Sequence, residues 1–323
     1  MIGSEHESTA RELAERWFGA AVASLSLVTG GATNTTFELE VSRARYYLRR
    51  YRKLDREAVL REHALIEHVR AHGVPAPKAL ELEGSSVCEA ADGALWTVFE
   101  AALGAQVAYT DLTAPHVESA GRMLALLHTA TATLSTHDYP RRMLAWDGPA
   151  WVARLERIRA AILQLPALDE TDRWALPRVE QQRAWLADAA CEHAYRPTFP
   201  NQVLHGDYHA SNLFFTASEV TGVIDWDVPM CLPRAFELVR ACFFLCQMQP
   251  ELCAALISGY RALTPLSAAE LADGACAWGV FADHHVWPLE ETYLHGNRAA
   301  ARFIWHRPFQ PFAEEWALTC RTS

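Results

Sequence analysis

No stretch of this 323-residue chain approaches the roughly 20 uninterrupted apolar residues that a membrane-spanning helix requires, so the pattern predicts no membrane partner. The eight cysteines include no CxxC pair and sit largely in apolar or helical stretches. That speaks for reduced, buried thiols and against a disulfide framework or a zinc ribbon. Basic residues are the minority: a net charge of -10 argues against a duplex nucleic-acid partner, which demands a basic face. There is no internal repeat and no low-complexity tract. The opening residues MIGSEHESTARELAERWF are acidic and amphipathic and lack the basic patch and apolar core of a signal peptide. A cytoplasmic location is the expectation.

What is present is ordinary for a globular enzyme: half the residues are hydrophobic and a fifth are charged. Residues 7–20 have helical periodicity. Strand patterns follow at 25–29, 36–41 and 45–51, with Gly30 and Gly31 in the turn between the first two. Residues 55–72 read as a helix that Gly73, Pro75 and Pro77 end, and 85–88 and 94–99 read as two more strands. From residue 114 onward the pattern is mostly helical, broken by short strands near Val203, at 213–215 and at 223–224. The order implies an α+β chain: a small antiparallel-sheet lobe with one long helix (1–100), a hinge near 99–105, and a larger helical lobe (106–323).

Chemistry concentrates in two short runs, LHGDYHASN at 204–212 and GVIDWD at 222–227. Mg²⁺ prefers near-octahedral oxygen ligation and keeps several waters, so a protein offers it one or two carboxylates and an amide while nucleotide phosphates supply the rest. Asp207 is placed to accept a hydroxyl proton, Asn212 to hold one metal ion, and Asp225 to hold metal that bridges phosphates, with Asp227 as a further oxygen ligand. The apolar run 221–224 reads as a buried strand that delivers Asp225 rigidly. Gly30 and Gly31 offer backbone that can come close to phosphate oxygens. Arg49, central in the third strand, alternates with apolar neighbours and can point toward α- and β-phosphates, and Glu62 on the next helix can pair with it. His205 and His209 flank Asp207 as HxxxH. A loop setting and the lack of a glutamate base make loop ordering by His205 a better fit than a metal pair.

These residues resemble the aminoglycoside phosphotransferase, choline kinase and homoserine kinase superfamily, small-molecule kinases with a protein-kinase-like bilobal fold. The matching pieces are LHGDYHASN, VIDWD, YYLRRY, REHALIEHV with Glu62, GVPAPK and LWTVFEAALG, which span residues 25–227. The resemblance implies Asp207 as catalytic base, Asn212 and Asp225 as Mg²⁺ ligands, and Arg49 as the phosphate-contacting cation. It also implies adenine held by backbone groups of Phe99, Glu100 and Ala102. Gly206 replaces the arginine of the protein-kinase HRD loop, DWD replaces DFG, and no APE signature follows, all of which suit a small-molecule acceptor. Arg49 stands where many relatives have lysine, and the glycine loop lacks GxGxxG, so GTP stays open beside ATP.

The expected reaction is transfer of a γ-phosphate from Mg-ATP to a hydroxyl of a small acceptor: an aminoglycoside, amino alcohol, homoserine or sugar. From 201 to 323 acids outnumber basic residues thirteen to seven, which would suit a cationic acceptor. Trp278, Phe281, Trp287, Tyr293, Phe303 and Trp305 supply either a stacking wall or helix packing. The alternatives are a kinase-like binding protein without turnover and a metal-dependent hydrolase built on His205 and His209. Nothing in the pattern specifies an oligomeric state.

Overall fold

The computed structural model describes residues 6–28 and 34–321. The expected turn at Gly30 and Gly31 lies outside the described residues. The fold begins with α1 (Glu7–Phe18), whose buried face, Ala10, Leu13, Ala14 and Trp17, packs on a sheet through Phe37, Leu39, Leu48 and Trp96. That sheet is antiparallel, in the order β1 (Ser24–Leu27), β2 (Thr35–Val41), β3 (Ala44–Arg50), β5 (Leu95–Glu100), β4 (Cys88–Glu89). Side chains alternate along β3, so Leu48 enters the core under α1 while Arg49 points to the opposite face. There α2 (Arg56–Ala71) crosses, capped by Asp55, whose Oδ1 accepts a 2.8 Å hydrogen bond from the Ala58 N–H.

One expected strand is shorter than its pattern. Ser85 does not join the sheet but pairs with Leu82 across a tight turn whose central residues, Glu83 and Gly84, both have positive φ (54° and 80°). Such a turn consumes 85–87 locally and leaves Cys88–Glu89 to pair with β5.

The chain leaves β5 and crosses to the second lobe through 101–105, where Ala105 and Phe215 exchange backbone hydrogen bonds of 2.9 and 2.8 Å. Gly104 is required at this crossing: its φ is +86°, and a Cβ would sit 2.3 Å from the Phe215 carbonyl oxygen. Helices α3 (Ala114–Thr131), α4 (Gly148–Leu163) and α5 (Glu170–Leu186) follow. Next come β6 (Gln202–Leu204), β7 (Leu213–Thr216), β8 (Glu219–Val223) and β9 (Met230–Leu232), then α6 (Arg234–Phe244), α7 (Pro250–Leu263), α8 (Ala268–Asp283), α9 (Trp287–Tyr293) and α10 (Phe312–Arg321). Strands β7 and β8 form a hairpin, and β6 pairs with β9, a three-residue strand that the sequence pattern does not reveal. The largest core joins Leu65, Ile66 and Val69 of α2 to α3, the short strands and α6–α8. The architecture is a two-lobed, kinase-like α+β fold. Among the described residues no helix is long and apolar enough to cross a membrane.

Candidate active site

The loop after β6 is fixed by two buried side chains. His205 Nδ1 accepts from the Asp207 N–H at 3.1 Å, so its proton lies on Nε2, which donates to the Ile224 carbonyl at 3.0 Å. Burial disfavours the charged ring and lowers its pKa despite Glu237 and Asp207 nearby. Glu237, on α6, receives the loop backbone. Its Oε1 accepts from the Gly206 N–H (2.5 Å), and Oε2 accepts from the His205 N–H (3.1 Å) and from His128 Nε2 (3.0 Å). Gly206 has φ +87°, and a Cβ there would lie 2.1 Å from the Val228 carbonyl oxygen, which gives a steric reason for glycine where protein kinases carry arginine.

Asp207 is held on both oxygens. Oδ1 meets Arg240 Nη2 at 2.5 Å, and Oδ2 accepts from His209 Nε2 at 3.0 Å and from Asn212 Nδ2 at 3.1 Å. His209 Nδ1 accepts from the Ser211 N–H, which puts its proton on the nitrogen that faces Asp207. Burial alone would raise the Asp207 pKa, but the His209 hydrogen bond and the Arg240 charge outweigh it. The carboxyl is held well below the usual carboxylate range. Asn212 commits its amide nitrogen to Asp207, to the backbone carbonyl at 2.8 Å as well. That leaves Oδ1 without a hydrogen bond among the described residues.

Strand β8 ends at Val223, and the Ile224 N–H donates to the Asn212 carbonyl at 3.0 Å, tying the second acidic run to the first. Trp226 is buried beside His205, ring centroids 4.5 Å apart, with Asp225 and Asp227 on either side of it in sequence. Asp225 adopts φ +67°, a left-handed conformation that aspartate tolerates better than most residues. Arg49 reaches both elements: Nη1 is 3.2 Å from Glu62 and Nη2 is 3.2 Å from Asp225. Burial pushes the Glu62 carboxyl up to about 7 against the pull of Arg49. Burial and then Asp225 push Asp227 up to about 6, although the Asn34 amide donates to it at 2.9 Å. One guanidinium thus faces three carboxylates. Oxygen donors short of positive charge, with Asn212 Oδ1 on the adjoining loop, fit a hard divalent cation.

The profile of the phosphotransferase enzyme family matches residues 24–271. The chain belongs to that family. A homoserine kinase of Methylobacterium nodulans is 28% identical over 253 residues, 76% of this chain and 73% of the relative. In fold the chain is similar to the spectinomycin phosphotransferase APH(9)-Ia solved with ADP and spectinomycin (TM-score 0.65, 14% identity, covering 97% of this chain and 93% of that one). It is similar also to the amicoumacin kinase hAmiN solved with AMP-PNP, Ca²⁺ and its antibiotic (TM-score 0.59, 16% identity, covering 90% and 91%). It is a small-molecule phosphotransferase that acts on an alcohol group.

In this phosphotransferase Asp207, Asn212, Arg49, Glu62, Asp225 and Asp227 converge as their sequence positions suggest. At the crossing, Phe99 lies under the Arg49 guanidinium (5.3 Å). The Glu100 N–H is committed to the Lys78 carbonyl at 3.0 Å, so Glu100 can offer a ligand its carbonyl only. The Ala102 N–H meets no acceptor among the described residues. His205 has both ring nitrogens engaged and forms no metal pair with His209. Of the aromatic residues, Trp278, Phe303 and Trp305 line a narrow cavity, whereas Tyr293 donates to Asp172 on α5. Two site residues escape the motif reading, Glu237 and Arg240. The available signal is a buried carboxylate between Phe236 and Leu238 in a helix, with an arginine one turn on along the same face.

Proposed function

We propose that the enzyme transfers the γ-phosphate of Mg-ATP to a hydroxyl of a small molecule held against Asp207. The acceptor oxygen bonds to the γ-phosphorus as the bond to the β–γ bridging oxygen breaks, ADP leaves with that electron pair, and the hydroxyl proton passes to Asp207. Held at a depressed pKa, Asp207 is a weak base; its part is to orient the hydroxyl and take the proton late, which a loose transition state permits. His209 and Arg240 fix which way its oxygens point. Asn212, Asp225 and Asp227 are the residues we assign to Mg²⁺, which when bound offsets phosphate charge. Arg49, braced by Glu62, is assigned to the phosphates, together with Gly30 and Gly31. Adenine is assigned to the Glu100 carbonyl and Ala102 N–H over Phe99, with the hinge at 99–105 between a nucleotide-binding part (1–100) and a helical part (106–323). Nucleotides in the solved neighbours, and Ca²⁺ in one of them, support the donor and metal assignments.

The observation that carries the reading is an ionised Asp207 joined through Asn212 to a carboxylate group short of cations. Asp207→Ala tests it. Binding of Mg-ATP, by calorimetry, should be nearly intact while turnover against a panel of aminoglycosides, amino alcohols, homoserine and sugars falls by roughly two orders of magnitude or more. Equal turnover in the variant would overturn the role of Asp207. GTP run beside ATP identifies the donor.

A further inference from the structure

Against Phe244 and Trp278, the rings over which the Arg240 guanidinium lies, is a cavity of about 40 Å³ lined by rings and a cation, with no carboxylate in its wall. Arg240 stands at its edge: one guanidinium nitrogen holds Asp207, and the group lies 4.7 Å from the Phe244 ring centroid and 5.9 Å from that of Trp278. Phe244 and Phe281 both pack on His285, at 6.3 and 6.0 Å. Over the Phe281 ring, at 5.0 Å, lies the guanidinium of Arg142, and Arg178 of α5 lines the cavity beside His285.

Arg142 and Arg178 lack the carboxylate partners that Arg240 and Arg307 have. Arg307, which stacks 4.0 Å over Trp305, is paired with Glu315 at 2.6 Å. Arg178 has a 3.4 Å contact to the Pro308 carbonyl and a ring at 5.6 Å, and Arg142 has the Phe281 ring. Among the described residues neither meets a carboxylate within ion-pair distance. Burial and then Arg307 push the Arg178 pKa down to about 10, and burial followed by Arg240, Arg178 and Arg142 pushes His285 down to about 4. Arg142 is exposed and solvated, but Arg178 is half-buried, and ring stacking worth roughly 0.5–2 kcal/mol offsets only part of what a poorly solvated charge without a counter-ion costs. Arg178 in the wall meets no acid within ion-pair distance among the described residues, and the charges of Arg240 and Arg142 reach His285 beside it, so the cavity is short of an anion.

We propose that this cavity receives the anionic end of the acceptor, so that the substrate is a small hydroxylated oxyanion, a carboxylate or a phosphate ester, and not a polyamine. The proposal rests on the reading of Asp207 as the residue facing the acceptor hydroxyl. The cavity holds a group of that size and is too small for a sugar ring. Guanidinium forks match either oxyanion, and His285, a neutral ring, adds a hydrogen bond without adding charge. The acid surplus of 201–323 does not contradict this, because several of those acids are neutralised by arginines: Glu219 by Arg122, Glu270 by Arg234 and Glu290 by Arg154, while Glu315, near Arg178, is taken by Arg307.

The test uses full-length enzyme saturated with Mg-ADP at fixed ionic strength, with glycolate, inorganic phosphate, neutral glycolamide and a polyamine alcohol as probes and melting temperature as the readout. Glycolate or phosphate should raise the melting temperature and glycolamide should not. Arg178→Gln should weaken the apparent affinity by about tenfold, with Arg142→Gln weakening it in the same direction and Mg-ADP affinity unchanged. The stronger of the two anions tells a carboxylate from a phosphate source. No anion effect in the wild type, an anion effect in the Arg178→Gln variant as large as in the wild type, or stabilisation by the polyamine in preference would overturn the proposal. A wild type that fails to bind Mg-ADP would sink the nucleotide reading instead. The anion series without nucleotide then still decides the cavity.

Discussion

Glu237→Gln is the perturbation that most directly tests how the catalytic loop is held. The side chain accepts three hydrogen bonds while buried: the Gly206 N–H on Oε1, and the His205 N–H and His128 Nε2–H on Oε2. Burial would raise its pKa, but the His128 hydrogen bond and charge, then His205 and the Gly206 N–H, keep it below the ordinary value. Glutamine has the same shape but carries an NH₂ in place of one oxygen. If the NH₂ takes the Oε1 position it meets the Gly206 N–H; if it takes Oε2, His128 can switch tautomer, accepting on Nε2 and donating from Nδ1 to the Tyr260 hydroxyl 2.9 Å away, but the His205 N–H is still opposed. Either way a buried backbone donor of the loop loses its acceptor, at roughly 1–3 kcal/mol, and charge-assisted bonds become neutral ones, for a total of about 2–4 kcal/mol. Urea denaturation should register that loss, and turnover should fall by about tenfold or more as the loop shifts, since small displacements of positioned groups are costly. The folded pKa is depressed, so the contribution of Glu237 is fully present above its unfolded pKa and disappears as pH falls through the folded value. The wild-type advantage over the glutamine variant should shrink in acid. Stability within about 0.5 kcal/mol of wild type and unaltered turnover would refute the account.

Arg49→Lys keeps a positive charge but replaces a fork that spans Glu62 and Asp225 with a point donor; the KM for nucleotide should rise by about tenfold while kcat changes less, and an unchanged KM would count against the phosphate role. Burial raises Asp283 to about 6, against Phe312 and Trp185 hydrogen bonds that lower it. An acid raised in the folded state loses stability as it ionises in the unfolded one, so unfolding free energy should decline by about 2 kcal/mol between pH 4 and pH 6 on this group's account. Asp283→Asn should remove that part of the slope in denaturation series across the window, and an identical slope would contradict it.

The parts of the site that were legible in the sequence are those whose chemistry is local. Asp207 to Asn212 and Asp225 to Asp227 sit at fixed short offsets on strand ends, so spacing alone implies which oxygens can converge. The Arg49–Glu62 pair was readable because a strand and the next helix must pack, and an arginine amid apolar neighbours needs a partner. Glu237 and Arg240 were not readable this way. They come from a helix thirty residues beyond the loop and look like ordinary charges until the fold buries them. The sign of the proposed acceptor cavity was hidden for a related reason. A charge count over 201–323 gives a negative segment, but Arg178, which lines the cavity, and Arg142, over Phe281, lie outside that segment, and several of its acids are taken up in ion pairs. The short β4 failed to follow its pattern because two consecutive positive-φ residues turned 82–85 back on itself.

On the proposed assignment the donor and acceptor regions have opposite electrostatic needs, and the reaction gives a reason for that. Around Arg49 three carboxylates face one cation; on the other side Arg240 holds Asp207, and its charge joins those of Arg178 and Arg142 at His285. A donor triphosphate and an anionic acceptor repel each other, by about 2 kcal/mol per pair of unit charges 8 Å apart at an effective dielectric near 20. Divalent metal on the acidic side screens the donor, but it cannot also sit at the far end of the acceptor. Cations for that end must come from the protein, and they must lie beyond Asp207, where they do not compete with metal for the phosphates. Arg142 and Arg178 satisfy that condition. Arg240, bound to Asp207, keeps the carboxylate ionised between two anions that would otherwise drive it toward protonation. A cationic acceptor would need none of these arginines.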